Sequence, residues 1–190
     1  GFEDVSHSLV VKEGDVLELG SHRIKFIMAP MIHWPEVMMS YEESEKVLFS
    51  ADAFGKFGAL DIKESPSEAR KEDWACEARR YYFNIVGKYG APVQALLKKA
   101  AVLDIQKICP LHGPVLAEEL SYYIEKYDVW SRYEPENKGV LIAYSSVYGN
   151  TKAAVETLAE CIGSREKVVL ADLAREDMAE VIEDAFRYDR

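Results

Sequence analysis

The chain has 190 residues, of which 48% are hydrophobic, and 33 acidic against 23 basic side chains give it a formal net charge of −10. The hydrophobic content is that of a globular protein rather than a disordered one, and the negative charge disfavours nucleic acid and anionic membranes as partners. No apolar run approaches the roughly 20 residues of a membrane span. Three widely spaced cysteines without a Cys-x-x-Cys pair argue against a disulfide framework and predict a cytoplasmic location.

Short apolar runs in the first part of the chain predict β-strands. These runs lie at residues 5–11, 16–19, 24–29 and 47–50, and a further one lies at 105–109. Turns are predicted at 12–15 and 20–21, and the polar segment 41–46 predicts a turn before the strand at 47–50.

Three helices are predicted among these strands. The first begins near Ser65 and Pro66, because proline suits the first helical position. It continues through a stripe of apolar residues at helical spacing, namely Trp74, Ala78, Tyr81, Tyr82 and Ile85. A second helix begins at Pro92 and a third extends from about 117 to 132. Their aromatic residues favour a packed core over a cofactor site.

Three residues with metal-ligand chemistry each follow an apolar strand. His33 follows the strand at 24–29, Asp52 the strand at 47–50, and His112 the strand at 105–109. Loops at strand ends are where α/β sheets place their chemistry, and imidazole with carboxylate suits iron, zinc or manganese. Singly, a histidine after a strand is more often structural, and Asp52 is as well placed to cap a turn. Together they predict a metal site.

The rest of the chain reads as strand, helix, strand, helix after a polar linker at 134–139, which contains Pro and Gly without periodicity. The strands are predicted at 140–144 and 167–171, and the helices at 151–162 and about 176–187.

The loop between the first strand and helix of this second part has the character of a phosphate site. A helix N-terminus presents unpaired backbone N–H groups and the positive end of a dipole, and glycine lets the backbone approach closely. The residues concerned are Ser146, Val147, Tyr148, Gly149, Asn150 and Thr151. No lysine follows the glycine and no Gly-x-Gly-x-x-Gly occurs, so neither a P-loop nor a dinucleotide fingerprint fits. The alternative is an ordinary turn capped by a hydroxyl group.

Four motifs, in this order, resemble the flavodiiron proteins, also called A-type flavoproteins. They are His-Trp-Pro at 33–35, Phe-Ser-x-Asp-Ala-Phe-Gly at 49–55, Cys-Pro-x-His-Gly-Pro at 109–114, and Tyr-Ser-Ser-x-Tyr-Gly-Asn-Thr at 144–151. The resemblance covers essentially the whole chain. It implies an α/β protein in which the C-terminal half of a metallo-β-lactamase-like αββα sandwich, residues 1–133, is followed by the first part of a flavodoxin-like doubly wound parallel sheet, residues 140–190.

The same resemblance implies a function. A flavodiiron protein reduces O2 to water, NO to N2O, or both, at two non-haem irons with electrons from FMN. His33 and His112 would bind different irons, Asp52 would bridge them, and residues 146–151 would hold the FMN phosphate. The partners implied are a redox donor such as a rubredoxin or an NADH-linked reductase and a second copy in a head-to-tail dimer.

The sequence also departs from that family. Its four histidines are His7, His22, His33 and His112, and none begins the family's His-x-Glu-x-Asp-His cluster. Only two βα units of the flavodoxin-like part are present. We therefore expect the 190-residue chain on its own to be inactive.

Two other functions fit parts of the pattern. A metallo-β-lactamase-like hydrolase would use the same His33, Asp52 and His112 to activate a zinc-bound water. A non-catalytic flavodoxin-like electron-transfer module would need only the phosphate loop.

Overall fold

The computed structural model of the chain describes residues 8–59 and 71–190, with the side chains of 71–73 left out. Within these residues the strands are β1 Val16–Leu19, β2 His22–Met28, β3 Met38–Glu42, β4 Val47–Phe49, β5 Lys107–Cys109, β6 Val140–Tyr144 and β7 Val168–Asp172. The α-helices are α1 Lys71–Tyr81, α2 Gly90–Ala100, α3 Leu120–Ser131, α4 Asn150–Gly163 and α5 Met178–Arg187. A π-helical turn, Tyr82–Val86, and a 3₁₀ turn, Gly87–Tyr89, join α1 to α2.

The first sheet has the order β1-β2-β3-β4-β5. The first three pairings are antiparallel and the last, β4 with β5, is parallel. Strands β2 and β4 are both antiparallel to β3, and β5 is parallel to β4, so β2, β4 and β5 all run in the same direction. Their C-terminal ends therefore lie at one edge of the sheet, and each is followed by one of the three residues predicted to bind metal.

A buried aromatic cluster joins the helices that pack with this sheet. Trp74 of α1 stacks on Trp130 of α3 with ring centroids 6.0 Å apart, and Tyr82 meets Tyr127 edge-to-face at 5.1 Å. All four side chains are almost fully buried. Burying a large apolar side chain contributes about 1.5–3 kcal/mol, and a well-oriented aromatic pair adds about 0.5–1.5 kcal/mol. This cluster holds α1 in place, and the C-terminal end of α1 lies beside the loop of His112.

The second sheet consists of β6 and β7, which pair in parallel across the α4 crossover. After α5 the chain returns to the free side of β6, where Leu141 N–H donates to Arg190 O at 2.7 Å and Arg190 N–H to Gly139 O at 3.2 Å. The segment 188–190 thus lies on the opposite side of β6 from β7. Across the sheet the order is therefore β7, β6 and the segment 188–190, which are the second, first and third of these strands along the chain. A flavodoxin-like sheet begins with this order.

The segment 134–139, predicted as a linker, is held firmly between the two parts. The backbone N–H groups of Glu136 and Asn137 both donate to Arg187 O at 3.0 Å, and Gly139 N–H donates to Asp189 Oδ1 at 2.9 Å. The Glu136 side chain is buried. The segment therefore connects the two parts through fixed contacts.

Three local predictions were wrong or lie beyond the description. Residues 8–11 of the strand predicted at 5–11 form no strand. Leu9 and Val10 are exposed, so their apolar side chains do not pack against the sheet as the prediction assumed. Residues 41 and 42, predicted as turn, belong to β3, which sequence reasoning missed altogether. The start of the first helix near Ser65 lies outside the described residues. The strand predicted at 105–109 and the helix predicted at 117–132 are confirmed with shorter bounds, those of β5 and α3.

Within the described parts of the chain, no helix is both long and apolar enough to span a membrane.

Candidate metal centre and phosphate loop

His33 lies in a tight loop between β2 and β3. Ala29 N–H donates to Val37 O at 2.8 Å, and Met31 N–H donates to Trp34 O at 2.7 Å, so the loop closes on itself. Ile32, directly before His33, is fully buried and anchors the loop to the core. Anchoring by a buried neighbour leaves the imidazole projecting from the loop, 31% exposed.

Asp52 lies in a second tight loop, directly after β4. Ser50 is fully buried, and its hydroxyl donates to Ala53 O at 2.7 Å. Gly55 N–H donates to Asp52 O at 3.2 Å, and the ring of Phe54 packs on Tyr127 at 4.4 Å. The Asp52 side chain is 16% exposed.

The loop of His112 follows β5 and is bonded directly to the Asp52 loop. Ser50 N–H donates to Cys109 O at 3.2 Å, Leu111 N–H to Ala51 O at 2.8 Å, and Lys56 N–H to His112 O at 3.2 Å. These bonds continue the β4–β5 pairing beyond the strands. They set the position of His112 relative to Asp52.

The three predicted ligands come together, although they lie 19 to 79 positions apart in sequence. His33 Nε2 is 3.5 Å from Asp52 Oδ2, and His112 Nε2 is 3.4 Å from Asp52 Oδ1. Each histidine therefore faces a different oxygen of one carboxylate. This arrangement suits a carboxylate that bridges two metals, each of which also binds one imidazole.

The distances are compatible with metals in those positions. A nitrogen and an oxygen 3.4 or 3.5 Å apart could both reach one metal ion with bonds of about 2.1 Å. The donor set, neutral imidazole and carboxylate, also suits iron. To each of two metals these residues would supply only one nitrogen and one oxygen. In the described ranges, no group of three or more His, Cys, Asp or Glu is arranged to hold one metal ion.

Three of the six non-glycine residues with positive φ in the described ranges lie in the loops of His33 and Asp52. Met31, Ala51 and Phe54 have φ values of 68°, 51° and 65°, a region that residues other than glycine rarely adopt. Such residues persist only where the surrounding structure holds them, and they cluster at functional sites. The strained positions precede His33 and flank Asp52, so the fold maintains the ligand geometry at a cost in stability.

Tyr81, at the C-terminal end of α1, is a site residue that sequence reasoning placed in the core. Its ring lies 5.7 Å from the His112 ring and 5.2 Å from the Phe57 ring. Burial raises the pKa of Tyr81, and the charge of Asp52 raises it further. Tyr81 therefore stays neutral beside the Asp52 carboxylate. Its position in an apolar helical stripe gave no signal of this location.

The predicted phosphate loop has the expected strand–turn–helix form. It leaves β6 at Tyr144 and enters α4 at Asn150, with Gly149 at φ 87°. The Ser146 hydroxyl accepts hydrogen bonds from Gly149 N–H at 3.1 Å and Lys152 N–H at 3.3 Å. Gly149 is the N-cap residue of α4 and has no side chain. The Ser146 hydroxyl therefore serves the backbone N–H groups of the first turn, as the alternative interpretation expected of a hydroxyl in this loop.

A phosphate would still fit beside that cap. Val147 and Tyr148 are almost fully exposed, and a Cβ placed on Gly149 would meet no atom within 4 Å, so the loop is open to solvent. Among the described residues, no hydrogen-bond acceptor was found for the backbone N–H groups of Asn150 and Thr151. These two donors lie at the helix N-terminus, which is where proteins commonly bind anions.

Comparisons with known proteins agree with this architecture. A family model described as ODP family beta lactamase matches residues 1–113. An uncharacterised protein of Methanocaldococcus jannaschii is 35% identical over 88% of this chain and 41% of its own length. The anaerobic nitric oxide reductase flavorubredoxin of Vibrio vulnificus is 31% identical over 93% of this chain and 37% of its own. The rubredoxin oxygen:oxidoreductase of Desulfovibrio gigas, a solved structure, is 29% identical with a TM-score of 0.86 over 95% of this chain and 46% of its own.

Fold and family model together define a β-lactamase-like domain of the ODP family, continued by a βαβα unit, and confirm the predicted fold class. The chain belongs to the flavodiiron proteins. It spans less than half the length of the relatives it matches.

Proposed function

We propose that the native full-length protein is a flavodiiron oxidoreductase. It reduces O2 to water, NO to N2O, or both, at a non-haem diiron site that receives electrons from FMN. The observation that carries this proposal is the shared carboxylate of Asp52, whose two oxygens face His33 and His112 separately. A mononuclear site would bring both imidazoles to one metal position.

Each residue has a definite part in this proposal. Iron would supply the redox chemistry on O2 or NO, and FMN would deliver the electrons. His33 and His112 hold different metals, and Asp52 holds both in fixed relation. Tyr81 lies beside the Asp52 carboxylate and stays neutral. At the second site, the backbone of residues 146–151, with the hydroxyl groups of Ser146 and Thr151, holds the FMN phosphate without a lysine side chain.

The names of the relatives support both substrates. The Vibrio vulnificus protein is named for nitric oxide reduction, and the Desulfovibrio gigas protein for oxygen reduction with rubredoxin. The proposal includes a rubredoxin or an NADH-linked reductase as electron donor. It also includes a head-to-tail homodimer and a cytoplasmic location.

Replacement of Asp52 tests the diiron centre. Asp52→Asn in the native full-length protein removes the charge shared by the two metals, so we expect iron content to fall from two per chain to less than one while FMN is retained. Asp104→Asn is the matched control, because Asp104 is exposed and forms a surface ion pair with Lys46, which contributes little. The measurements are metal analysis and the visible flavin spectrum.

Two results would favour the other functions. Zinc without flavin in the wild-type protein would indicate the hydrolase. Flavin without any bound metal would indicate the electron-transfer module.

A further inference from the structure

The short segment that carries Tyr81 is held on both sides by helix α5, which comes from the other part of the chain. Tyr81 ends α1, and the π-helical turn Tyr82–Val86 follows immediately. Contacts with α5 occur just before Tyr81 and again just after it. The ring of Tyr81 itself lies beside the rings of Phe57 and His112.

The contacts before Tyr81 are ionic. Arg79 is buried and forms an ion pair with Glu183 in the middle of α5. Arg80 Nη2 lies 3.1 Å from Asp177 Oδ2, and Asp177 is also the residue whose side chain caps α5 by accepting from Ala179 N–H at 2.8 Å. The buried pair with Glu183 thus fixes the centre of α5, and the partly exposed pair of Arg80 with Asp177 adds a weaker contact at its first turn.

Two contacts with α5 follow Tyr81, one between aromatic rings and one a hydrogen bond. The Phe83 ring stacks on Phe186 with centroids 4.1 Å apart and planes 6° from parallel. Asn84 Nδ2 donates to Ala179 O at 3.3 Å. With the ion pairs, these contacts fix four of the positions from 79 to 84, on both sides of Tyr81.

The contacts with α5 lie beside and within the π-helical turn. A π turn widens the helix and leaves it weaker than an α-helix, and such turns occur frequently at functional sites. A weak turn directly after Tyr81 would let the ring move unless its neighbours were held from outside. The other helix of the second part, α4, has no buried residue, whereas α5 buries Val181 and Glu183.

We propose that α5 is a positioning element of the metal centre: by clamping residues 79, 80, 83 and 84 it holds the Tyr81 ring against the His112 ring and the loop of Asp52. The inference rests on the proposed function for its metal, although the position of Tyr81 can be measured without one. The consequence is that the part of the chain with the phosphate loop sets the geometry of the metal-ligand loops in the other part.

Two variants weaken the clamp without changing Tyr81 or Asp52. Asp177→Asn removes the charge that faces Arg80 but keeps a good helix cap. Phe186→Ala removes the stack on Phe83. Met178→Ala is the matched control, an apolar truncation at an exposed position of the same helix.

The first readout needs no metal. In the native full-length protein labelled with ¹³C at the tyrosine Cζ, the Tyr81 resonance is assigned by its loss in Tyr81→Phe, and its shift reports the surroundings of the ring. We expect this resonance to move in Asp177→Asn and Phe186→Ala and to stay in place in Met178→Ala. A resonance that stays in place in both clamp variants, with folded spectra, would overturn the inference.

The second readout is the affinity for Co²⁺, used as a spectroscopic probe of the metal ligands. Loss of a group that orients a ligand costs roughly 10–100-fold in metal affinity, so we expect the clamp variants to bind Co²⁺ at least ~10-fold more weakly than the control. If the wild-type protein binds no Co²⁺ but the Tyr81 resonance moves, the diiron proposal fails and the clamp stands. If Co²⁺ binds equally to all variants and the resonance is fixed, only the clamp fails.

Discussion

Among single residues, Gly55 decides how closely the loops of Asp52 and His112 approach each other. A Cβ at this position would lie 2.9 Å from Asp52 O, 3.3 Å from His112 O and 3.3 Å from the Tyr81 ring. Two of these neighbours are backbone atoms of the ligand residues themselves, so relief of the clash would move the ligands. Tight backbone packing therefore contributes to the site as directly as the side chains do.

Gly55→Ala is predicted to destabilise the protein by about 1–3 kcal/mol, because it overpacks a site that cannot relax without moving two loops. Gly163→Ala is the control. Gly163 lies in helix α4, a Cβ there meets nothing within 4 Å, and alanine should stabilise the helix by about 0.5–1 kcal/mol. Chemical denaturation measures both. A Gly55→Ala protein as stable as the wild type would show that the loops are looser than the structure indicates.

At the scale of one element, the N-terminus of α4 carries both its own cap and the proposed anion site. The Ser146 hydroxyl satisfies Gly149 N–H and Lys152 N–H, which leaves the donors between them for a ligand. A helix that caps itself in this way holds its N-terminal turn in shape before any phosphate arrives.

Thr151→Val tests whether this loop holds the FMN phosphate. Loss of one hydroxyl donor to a charged group should weaken FMN binding to the native full-length protein by about 1.5–3 kcal/mol. Thr157→Val is the control, since the Thr157 hydroxyl donates to Ala153 O on the same helix, away from the loop. Fluorescence titration of the apoprotein with FMN gives both affinities. Equal affinities would remove residues 146–151 from the proposed site.

For the whole molecule, a buried cluster of charges connects the two parts of the chain. Arg79 of α1 pairs with Glu136 of the connecting segment and Glu183 of α5, and Lys126 of α3 also pairs with Glu136. Burial alone would raise the pKa of Glu136, but Arg79 and Lys126, with the Trp130 indole N–H at 2.7 Å, lower it to about 2. Burial raises the pKa of Glu183 by more than Arg79 lowers it.

These shifts predict how stability depends on pH. Because the pKa of Glu136 is depressed in the folded protein, its contribution is present above about pH 4.5 and is lost as the pH falls towards about 2. Over that range the loss is on the order of 3 kcal/mol. The raised pKa of Glu183 acts in the opposite sense, since folding favours its protonated form as the pH falls.

Glu136→Gln should therefore lower the free energy of unfolding at neutral pH and make it less dependent on pH below 4.5, because its glutamine does not titrate. Glu134→Gln is the control, since Glu134 pairs with Arg132 at the exposed surface. Urea denaturation at a series of pH values measures both. Parallel pH profiles for wild type and Glu136→Gln would show that the cluster adds no acid sensitivity.

Several features of this protein follow from sequence alone. The convergence of His33, Asp52 and His112 was predicted because each residue lies in the loop after an apolar strand, and the side chains meet as expected. Their role as metal ligands stays a prediction. The strand–loop–helix form around residues 146–151 was predicted in the same way. In both cases the relevant signal is local: a run of apolar residues, a turn, and a polar residue at the strand end.

What only the tertiary structure decided depends on partners distant in sequence. Tyr81 looked like any member of an apolar helical stripe, and only the packing of α1 against the Asp52 loop brings its side chain to the site. Strand β3 looked like a polar turn, because its polar end is paired with β2 and β4 only in the folded sheet. Arg79 gave no sign of burial, since the carboxylates that compensate its charge lie 57 and 104 residues away. Apolar periodicity reports which face of an element is buried, but the identity of the contacting residue is fixed only when the chain has folded.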